Sequence, residues 1–555
     1  MDEFQRGMLS SQDILLQRRI RGSIVGALIA EQEPRAIITI ATACILEGHL
    51  CPPISNGHIR GLHLAALPPY VVSGAAFWGG SMDRQMWANV CGLSLAAAVT
   101  VAACANTAAP PAQDRPNIIV ILADDLGYGD LGVQGARDVS TPNIDRLAAG
   151  GVRMTDFYAN HPTCAPSRAG LLLGKYQQRF GFYSNPARGA QASYGMPKSE
   201  MTLPERLKKV GYTTAMVGKW HLGWSPENRP NARGFDSFYG FLEGAFAYTA
   251  DAPSGGKNPL RNDLPTAMPD HTTEAFTKEA VDFIDQHKDK PFFIYASYNA
   301  VHAPLQTTQA YLDRVKDEPN PDRRKYLAML MALDDGVGEI VKALDRNGLR
   351  RKTLIVFTSD NGGPTWQTTS SNGPLNGVKV TTLEGGIRVP TIFSWPGVVP
   401  EGRTSATVGI GMDITATALA AAKVKSDGLD GVDLMPYLKG QRTGDAHRQL
   451  FWASPQYSAL REGHWKLVEA EGEFLLFDLK SDIGEHHDLA AAQPQRLHRM
   501  KAHFEAWSAT MSPPANWEPI GRNPANNGKY VKLVRDYVNG LPVDPRPLLF
   551  GGGPE

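Results

Sequence analysis

The sequence predicts an α/β protein: a large mixed, mostly parallel sheet sandwiched by helices, followed by a smaller C-terminal α+β domain with an antiparallel sheet. Three observations carry that expectation: continuous apolar runs that end on polar residues, a capped helix between two of them, and a late stretch of short alternating segments. Asn117–Ala123 (NIIVILA) is almost wholly apolar rather than alternating, as a parallel strand covered by helices on both faces should be. Thr202-Leu-Pro-Glu205 is a capping box, opening a helix that closes near Gly211. Tyr212–Val217 reads as the next strand, and Pro291–Ser297 (PFFIYAS) and Thr353–Ser359 (TLIVFTS) as two more. From Arg448 to Phe477 short apolar runs alternate with turn residues, the pattern of an antiparallel sheet, and Gln493 to Ala509 reads as a helix against it.

Composition narrows the function classes. The chain has 555 residues, 42% hydrophobic and 20% charged, which supports a large core and excludes a disordered protein. Its 56 Lys+Arg balance 56 Asp+Glu, so no overall field draws it to nucleic acid, and no nucleic-acid partner is expected. A mean hydropathy of -0.26, without any long apolar run, excludes a polytopic membrane protein.

Four of the five cysteines, Cys44, Cys51, Cys91 and Cys104, precede the first domain-like residue; Cys164 stands alone after them, which excludes a disulfide framework for the body. Residues 86–104 form a short, alanine-rich apolar stretch, too brief to span a bilayer well, that reads as a lipoprotein-type signal peptide. Its end, Val101-Ala102-Ala103-Cys104, is similar to a bacterial lipobox. The expectation is therefore export to the periplasm, with a lipid anchor on Cys104 as the only membrane attachment and residues 105–114 as linker; an ordinary cleaved signal is the alternative. Residues 1–85 fit no part of this scheme and are expected to be an over-extended reading-frame start, with Met82 or Met86 as initiator, or a disordered extension. The main domain is expected over 115–440, the antiparallel-sheet subdomain over 441–511, and a tail over 512–555 that either wraps back near the site or forms a mobile end.

Four strands share a chemistry at their ends. Asp124 and Asp125 follow the first, Lys219 and His221 the second, Asn299 and His302 the third, Asp360 and Asn361 the fourth. Taken singly, an Asp or Asn after a strand is usually a turn former or helix cap. Together they converge on the carboxyl edge of an open sheet, where ligands sit. Adjacent buried carboxylates are costly unless a cation neutralises them, and hard oxygen donors with no surplus cysteine point to Ca²⁺ or Mg²⁺ rather than thiolate zinc. Gly127-Tyr-Gly129-Asp-Leu-Gly132 has the spacing of a dinucleotide loop, but Asp124 and Asp125 would repel a pyrophosphate there. Cys164 is expected at a helix N-terminus, with Pro166 in the first turn, where negative charge is stabilised. A buried structural thiol and a cysteine nucleophile both leave Arg168 unexplained at that spacing.

Cys164-Ala-Pro166-Ser167-Arg168 matches a C-x-P-S-R signature, and the chain around it resembles the type I, formylglycine-dependent sulfatases of the alkaline phosphatase-like superfamily. The resemblance takes in Arg115 to Asp125, Gly218 to Gly223, Asn299 to Pro304, Ser359 to Gly362, Gly377 to Lys379, Glu384 to Pro390 and Arg461 to Leu467, and so covers about 115–490. It implies a sulfuric-ester hydrolase acting on a sulfated carbohydrate or aryl sulfate, with Cys164 oxidised to formylglycine by a formylglycine-generating or sulfatase-maturating enzyme. It implies Asp124, Asp125, Asp360, Asn361 and the oxygen of modified Cys164 as ligands of one divalent cation, usually Ca²⁺, with Mg²⁺ the alternative. Arg168 and Lys219 would hold the aldehyde hydrate, Lys219 and Lys379 would neutralise the sulfate, His302 would protonate the leaving alcohol, and His221 would take the proton of the second hydroxyl. A carboxylate such as Asp360 can serve as base in the first step. Asn299 carries no assigned role, Arg388 reads as structural, and a further Ser or Thr sulfate contact is sought within Gly240 to Ala252. Two alternatives stand beside this: a phosphomonoester or phosphodiester hydrolase of the same superfamily, and a glycan-binding protein that has lost catalysis.

Overall fold

The computed structural model describes residues 115–186, 194–251, 258–515, 528–541 and 543–545. The expected signal peptide, its linker and residues 1–85 lie outside them.

A ten-stranded sheet organises the molecule. Edge to edge it runs Arg403–Ser405, Val152–Met154, Thr391–Ser394, Thr353–Ser359, Asn117–Ala123, Phe292–Ser297, Thr213–Lys219, Ser237–Phe241, Leu260–Arg261 and Leu264–Pro265. The five strands from Thr353–Ser359 to Ser237–Phe241 are mutually parallel, and antiparallel pairings appear only toward the edges. The central strand alternates its side chains between two cores. Ile118, Val120 and Leu122 pack with Ala165, Ala169, Leu172, Leu203 and Ile414 from one layer of helices. Ile119, Ile121 and Ala123 pack with Phe276, Ile284, Leu330 and Val337 from the helices Thr272–Gln286 and Pro321–Arg346 on the other face. Both neighbours being apolar is why this strand shows no alternation in sequence.

The capping box forms as expected: Thr202 and Glu205 exchange side-chain and backbone bonds at the start of the helix Leu203–Lys208. The following strand begins one residue later and runs two further than the sequence reading, to Lys219, because a parallel partner, Ser237–Phe241, pairs with it through Lys219 and Phe241.

A separate antiparallel sheet of four strands, Gln449–Ser454, Tyr457–Glu462, Trp465–Ala470 and Glu473–Asp478, packs against the helices Pro494–Ser508 and Lys529–Val538. It rests directly on the approach to Cys164. Trp452 donates its Nε1–H to the Ala159 carbonyl at 2.8 Å, and its ring lies 5.1 Å from that of Tyr158. Beneath them Lys466 bridges Glu384 (2.9 Å) and Glu485 (2.8 Å) with all three side chains fully buried, while Arg388 and Arg461 join Asp156 at 3.0 Å each. Arg388 is therefore part of a buried ion network, in keeping with a structural role.

Candidate active site

The strand ends are laced to one another by backbone bonds. Asp124 N–H donates to Ala300 O at 2.9 Å, Val301 N–H to Asp124 O at 2.8 Å, and Asp360 N–H to Ala123 O at 3.1 Å. Asp125 turns the chain at φ 65°, a left-handed conformation that Asp tolerates better than most residues. The helix Cys164–Leu173 is buried along its whole length and brings Cys164 and Arg168 to the same edge.

Each acid meets a cation. Lys219 Nζ lies 2.6 Å from Asp124, Lys379 Nζ 2.8 Å from Asp125, and Arg168 Nη2 2.7 Å from Asp360, whose other oxygen accepts the Asp125 N–H at 3.2 Å. Cys164 Sγ lies 3.7 Å from Asp124 Oδ1. His302 Nε2 stands 3.5 Å from Asp125, with Nδ1 held 2.6 Å from the Ala303 carbonyl. Asp124, Asp125, Cys164 and His302 can each offer an atom within 4.8 Å of the others. Every sequence-predicted site residue but His221 is thus tied into this cluster by an ion pair, a hydrogen bond or close approach. His221 follows Lys219 and Trp220 at φ 60°, buried, with Nδ1 lacking a partner. Gly244 leaves it room: a Cβ there would come within 2.8 Å of the imidazole.

Burial dominates the electrostatics. It pushes Asp124 up to about 7 against the pull of Lys219. It raises Asp125 and Asp360 too, but Lys379 and His302 bring Asp125 down to about 2, and Arg168 and Lys219 hold Asp360 below the usual carboxylate range. The Asp360 carboxylate faces Arg168 through one oxygen and accepts the Asp125 N–H through the other. The Cys164 thiol is pushed up to about 12 by burial despite Lys219 and Lys379, so as a thiol it is a feeble nucleophile. Burial and then Lys379 lower His302 to about 3, and burial with Lys219 takes His221 well below its ordinary value, leaving both imidazoles neutral.

The residues fit an oxygen-seeking divalent cation. Asn361 donates Nδ2–H to Asp125 at 2.7 Å, while its Oδ1 is buried with no partner, an unusual state for an amide oxygen unless something positive takes it. Three acids and three cations leave the cluster neutral. A dication would add two positive charges, matching one sulfate monoester and one ionised hydroxyl.

Sequence reasoning missed two contributors. Ser297 Oγ accepts from Arg168 Nη1 at 2.5 Å and donates to the Lys219 backbone carbonyl at 2.7 Å, tying the guanidinium to the end of the strand that carries Lys219; as the last residue of PFFIYAS it was visible. Tyr248 donates its hydroxyl to the carbonyls of Asn299 and His302, the latter at 2.8 Å. Next to it, Thr249 pairs through its backbone with His271. Asn299 is buried with neither amide atom paired. Gly127 and Gly129 serve close packing: a Cβ on Gly127 would lie 2.3 Å from Ser371 O, and only the short 3-10 turn Gly132–Gln134 follows, the next α-helix starting at Pro142.

Such a site, a residue at a helix start ringed by three cations and an oxygen-donor pocket at the carboxyl edge of a parallel sheet, defines a metal-assisted hydrolase of anionic tetrahedral esters. Comparison with known proteins narrows the class. A sulfatase family model matches residues 116–424. Mouse N-acetylgalactosamine-6-sulfatase is 38% identical over 358 residues, covering 60% of this chain and 68% of the relative. Human arylsulfatase A is 34% identical over 450 residues, covering 70% and 86%. The solved structure of Ps i-CgsB in complex with k-i-k-neocarrahexaose superposes with a TM-score of 0.70 at 33% identity, covering 77% of this chain and 98% of that one. The chain belongs to the sulfatase family and is a sulfuric-ester hydrolase.

Proposed function

We propose that this chain removes sulfate from a sulfated carbohydrate, and cleaves small aryl sulfates, through formylglycine formed at Cys164 and one bound Ca²⁺. The observation that carries the reading is the placement of Cys164: it opens the helix that bears Arg168, faces Asp124 at 3.7 Å, and has Lys219 and Lys379 close enough to bear on its charge. Relatives named for sulfated sugars, N-acetylgalactosamine-6-sulfatase and the neocarrahexaose complex, support the carbohydrate class. Asp124, Asp125, Asp360, Asn361 and the oxygen of modified Cys164 would hold the cation, whose charge lowers the pKa of the attacking hydroxyl and offsets charge on the sulfate. Mg²⁺ is the alternative ion.

The chain's own groups then have distinct tasks. A carboxylate of the cluster, such as Asp360, would accept the proton of the attacking hydroxyl. Formylglycine would supply, as its hydrate, the hydroxyl that attacks sulfur as the S–O bond to the alcohol breaks, and His302 would donate a proton to the departing oxygen. The neutral state of His302 in the free site requires the incoming anion to raise its proton affinity first. Lys219 and Lys379 face the sulfate oxygens and oppose their charge in a water-poor setting. His221 would take the proton of the second hydroxyl, the exit route that formylglycine would supply for releasing sulfate.

Export through residues 86–104, with a lipid on Cys104, and maturation by a formylglycine-generating or sulfatase-maturating enzyme belong to the same reading, on sequence grounds. Comparing 4-nitrophenyl sulfate with 4-nitrophenyl phosphate and its diester tests the reaction: dominant phosphate turnover would refute it in favour of a phosphoesterase. Mass spectrometry of the Cys164 peptide from active enzyme should show an aldehyde. An intact thiol in an inactive, glycan-binding protein would favour lost catalysis.

A further inference from the structure

The loop that carries Lys379 is held in part from a helix well beyond residues 116–424, the part of the chain matched by the sulfatase family model. Val380, directly after Lys379, sits at φ 70°, a left-handed conformation strained for a β-branched residue. Such a residue persists only where its surroundings over-determine it. Both of its backbone groups are engaged by distant segments. The N–H donates to Pro162 O at 2.9 Å, two residues before Cys164, and the carbonyl accepts the Tyr530 hydroxyl at 2.6 Å. Tyr530 lies on the helix Lys529–Val538, is buried, and stacks on Tyr457 with ring centroids 4.6 Å apart and planes 12° from parallel. The other end of that helix takes hold of the same loop, because Asn376 Nδ2 donates to Tyr537 O at 2.8 Å.

We infer that Tyr530 is a positioning residue for the sulfatase reaction: its hydroxyl keeps Val380 left-handed, and so keeps Lys379 aimed at Asp125 while Val380 N–H holds the loop to the Cys164 approach. The inference rests on the role given above to Lys379. Losing the hydroxyl leaves a buried carbonyl unpaired and frees the peptide after Val380 to relax toward negative φ, which rotates the lysine's own backbone.

Tyr530→Phe keeps the ring stack and removes only this bond. In full-length, matured enzyme of measured formylglycine content, with 4-nitrophenyl sulfate, it should lower kcat about five- to tenfold at nearly native Tm. In a Lys379→Ala background the same change should alter kcat by less than about twofold, since the two residues act as a unit. Val380→Gly, which adopts the left-handed φ without strain, should restore turnover to Tyr530→Phe; padding of the sheet alone would not be rescued this way. Native kcat in Tyr530→Phe while Lys379→Ala collapses overturns the inference and leaves the Lys379 role intact. Equal losses in both backgrounds, or no rescue by glycine, overturn it as well. Native turnover in Lys379→Ala removes the inference and that role together.

Discussion

Replacing Lys466 with methionine should lower the thermal midpoint by about 4–6 °C. Lys466 is fully buried between Glu384 and Glu485, 2.9 and 2.8 Å away, and no water reaches the three side chains. Removing one partner from a buried pair costs about 3–5 kcal/mol, because the remaining charge keeps its desolvation penalty and loses its attraction. Here the loss is limited on one side: burial already raises Glu485 toward neutrality, to about 7, whereas Lys466 and then Arg388 hold Glu384 ionised against burial. With an unfolding entropy near 2 cal/mol/K per residue over roughly 400 ordered residues, about 0.8 kcal/mol/K in all, the cost converts to that shift. The deficit should depend on pH in a definite direction. A carboxyl whose folded pKa is raised contributes stability below its unfolded value near 4.3 and loses it as pH rises through the raised value. Lys466→Met should therefore be penalised less at pH 5.5 than at pH 8. Calorimetry at both pH values decides, and adding Glu485→Leu should recover part of the loss. A midpoint unchanged at pH 8, or a deficit that grows on acidification, would refute the argument that one lysine neutralises two buried acids.

Three further outcomes are expected. Cys164→Ala should abolish 4-nitrophenyl sulfate turnover with a native circular-dichroism spectrum and Tm, and substantial surviving activity would end the nucleophile assignment. His302→Ala should slow sugar sulfates about 10²–10³-fold but nitrophenyl sulfate far less, since nitrophenolate leaves without a proton; equal losses would exclude the acid role. His447, bound to both oxygens of buried Asp413 at 2.8 and 2.9 Å, is raised above its ordinary value because Asp413 outweighs burial. Its stabilisation is full below about pH 6.5 and is lost as pH rises through the raised value, so His447→Gln should cost more in Tm at pH 6 than at pH 9. A pH-independent cost would refute that linkage.

What the sequence could reveal depended on how local each cause was. Asn117–Ala123 and Thr353–Ser359 were read with the bounds observed, since burial on both faces leaves its mark in the residues themselves. Pro291 drops out of its strand, as a residue with no N–H to donate often does. Ser237–Phe241 left no such mark: its Gly240 lies opposite Gly218, where a Cβ would meet Gly218 O at 1.9 Å, so close backbone approach replaces side-chain periodicity. The helix Lys529–Val538 did leave one, in the helical spacing of buried Tyr530, Leu533, Val534 and Val538, but it is embedded in a Pro/Asn/Gly-rich tail.

The site divides the same way. Asp124, Asp125, Asp360 and Asn361 were legible as chemistry because each is adjacent to a strand end and their cost in isolation demanded a cation. His302 was legible as a polar residue beyond a strand end and Lys379 only through family resemblance, and the placement of both is set by bonds from elsewhere: Val380 to Pro162 and Tyr530, and Val301 to Asp124. Strand-end ligands come with the sheet, so the oxygen pocket should tolerate change in the C-terminal sheet and its helices. The lysine and the Cys164 approach should not, since Trp452 and Tyr530 reach both from that layer. Damage confined there should therefore leave metal affinity near native while turnover falls. A C-terminal variant that loses both in equal measure would contradict this division of labour.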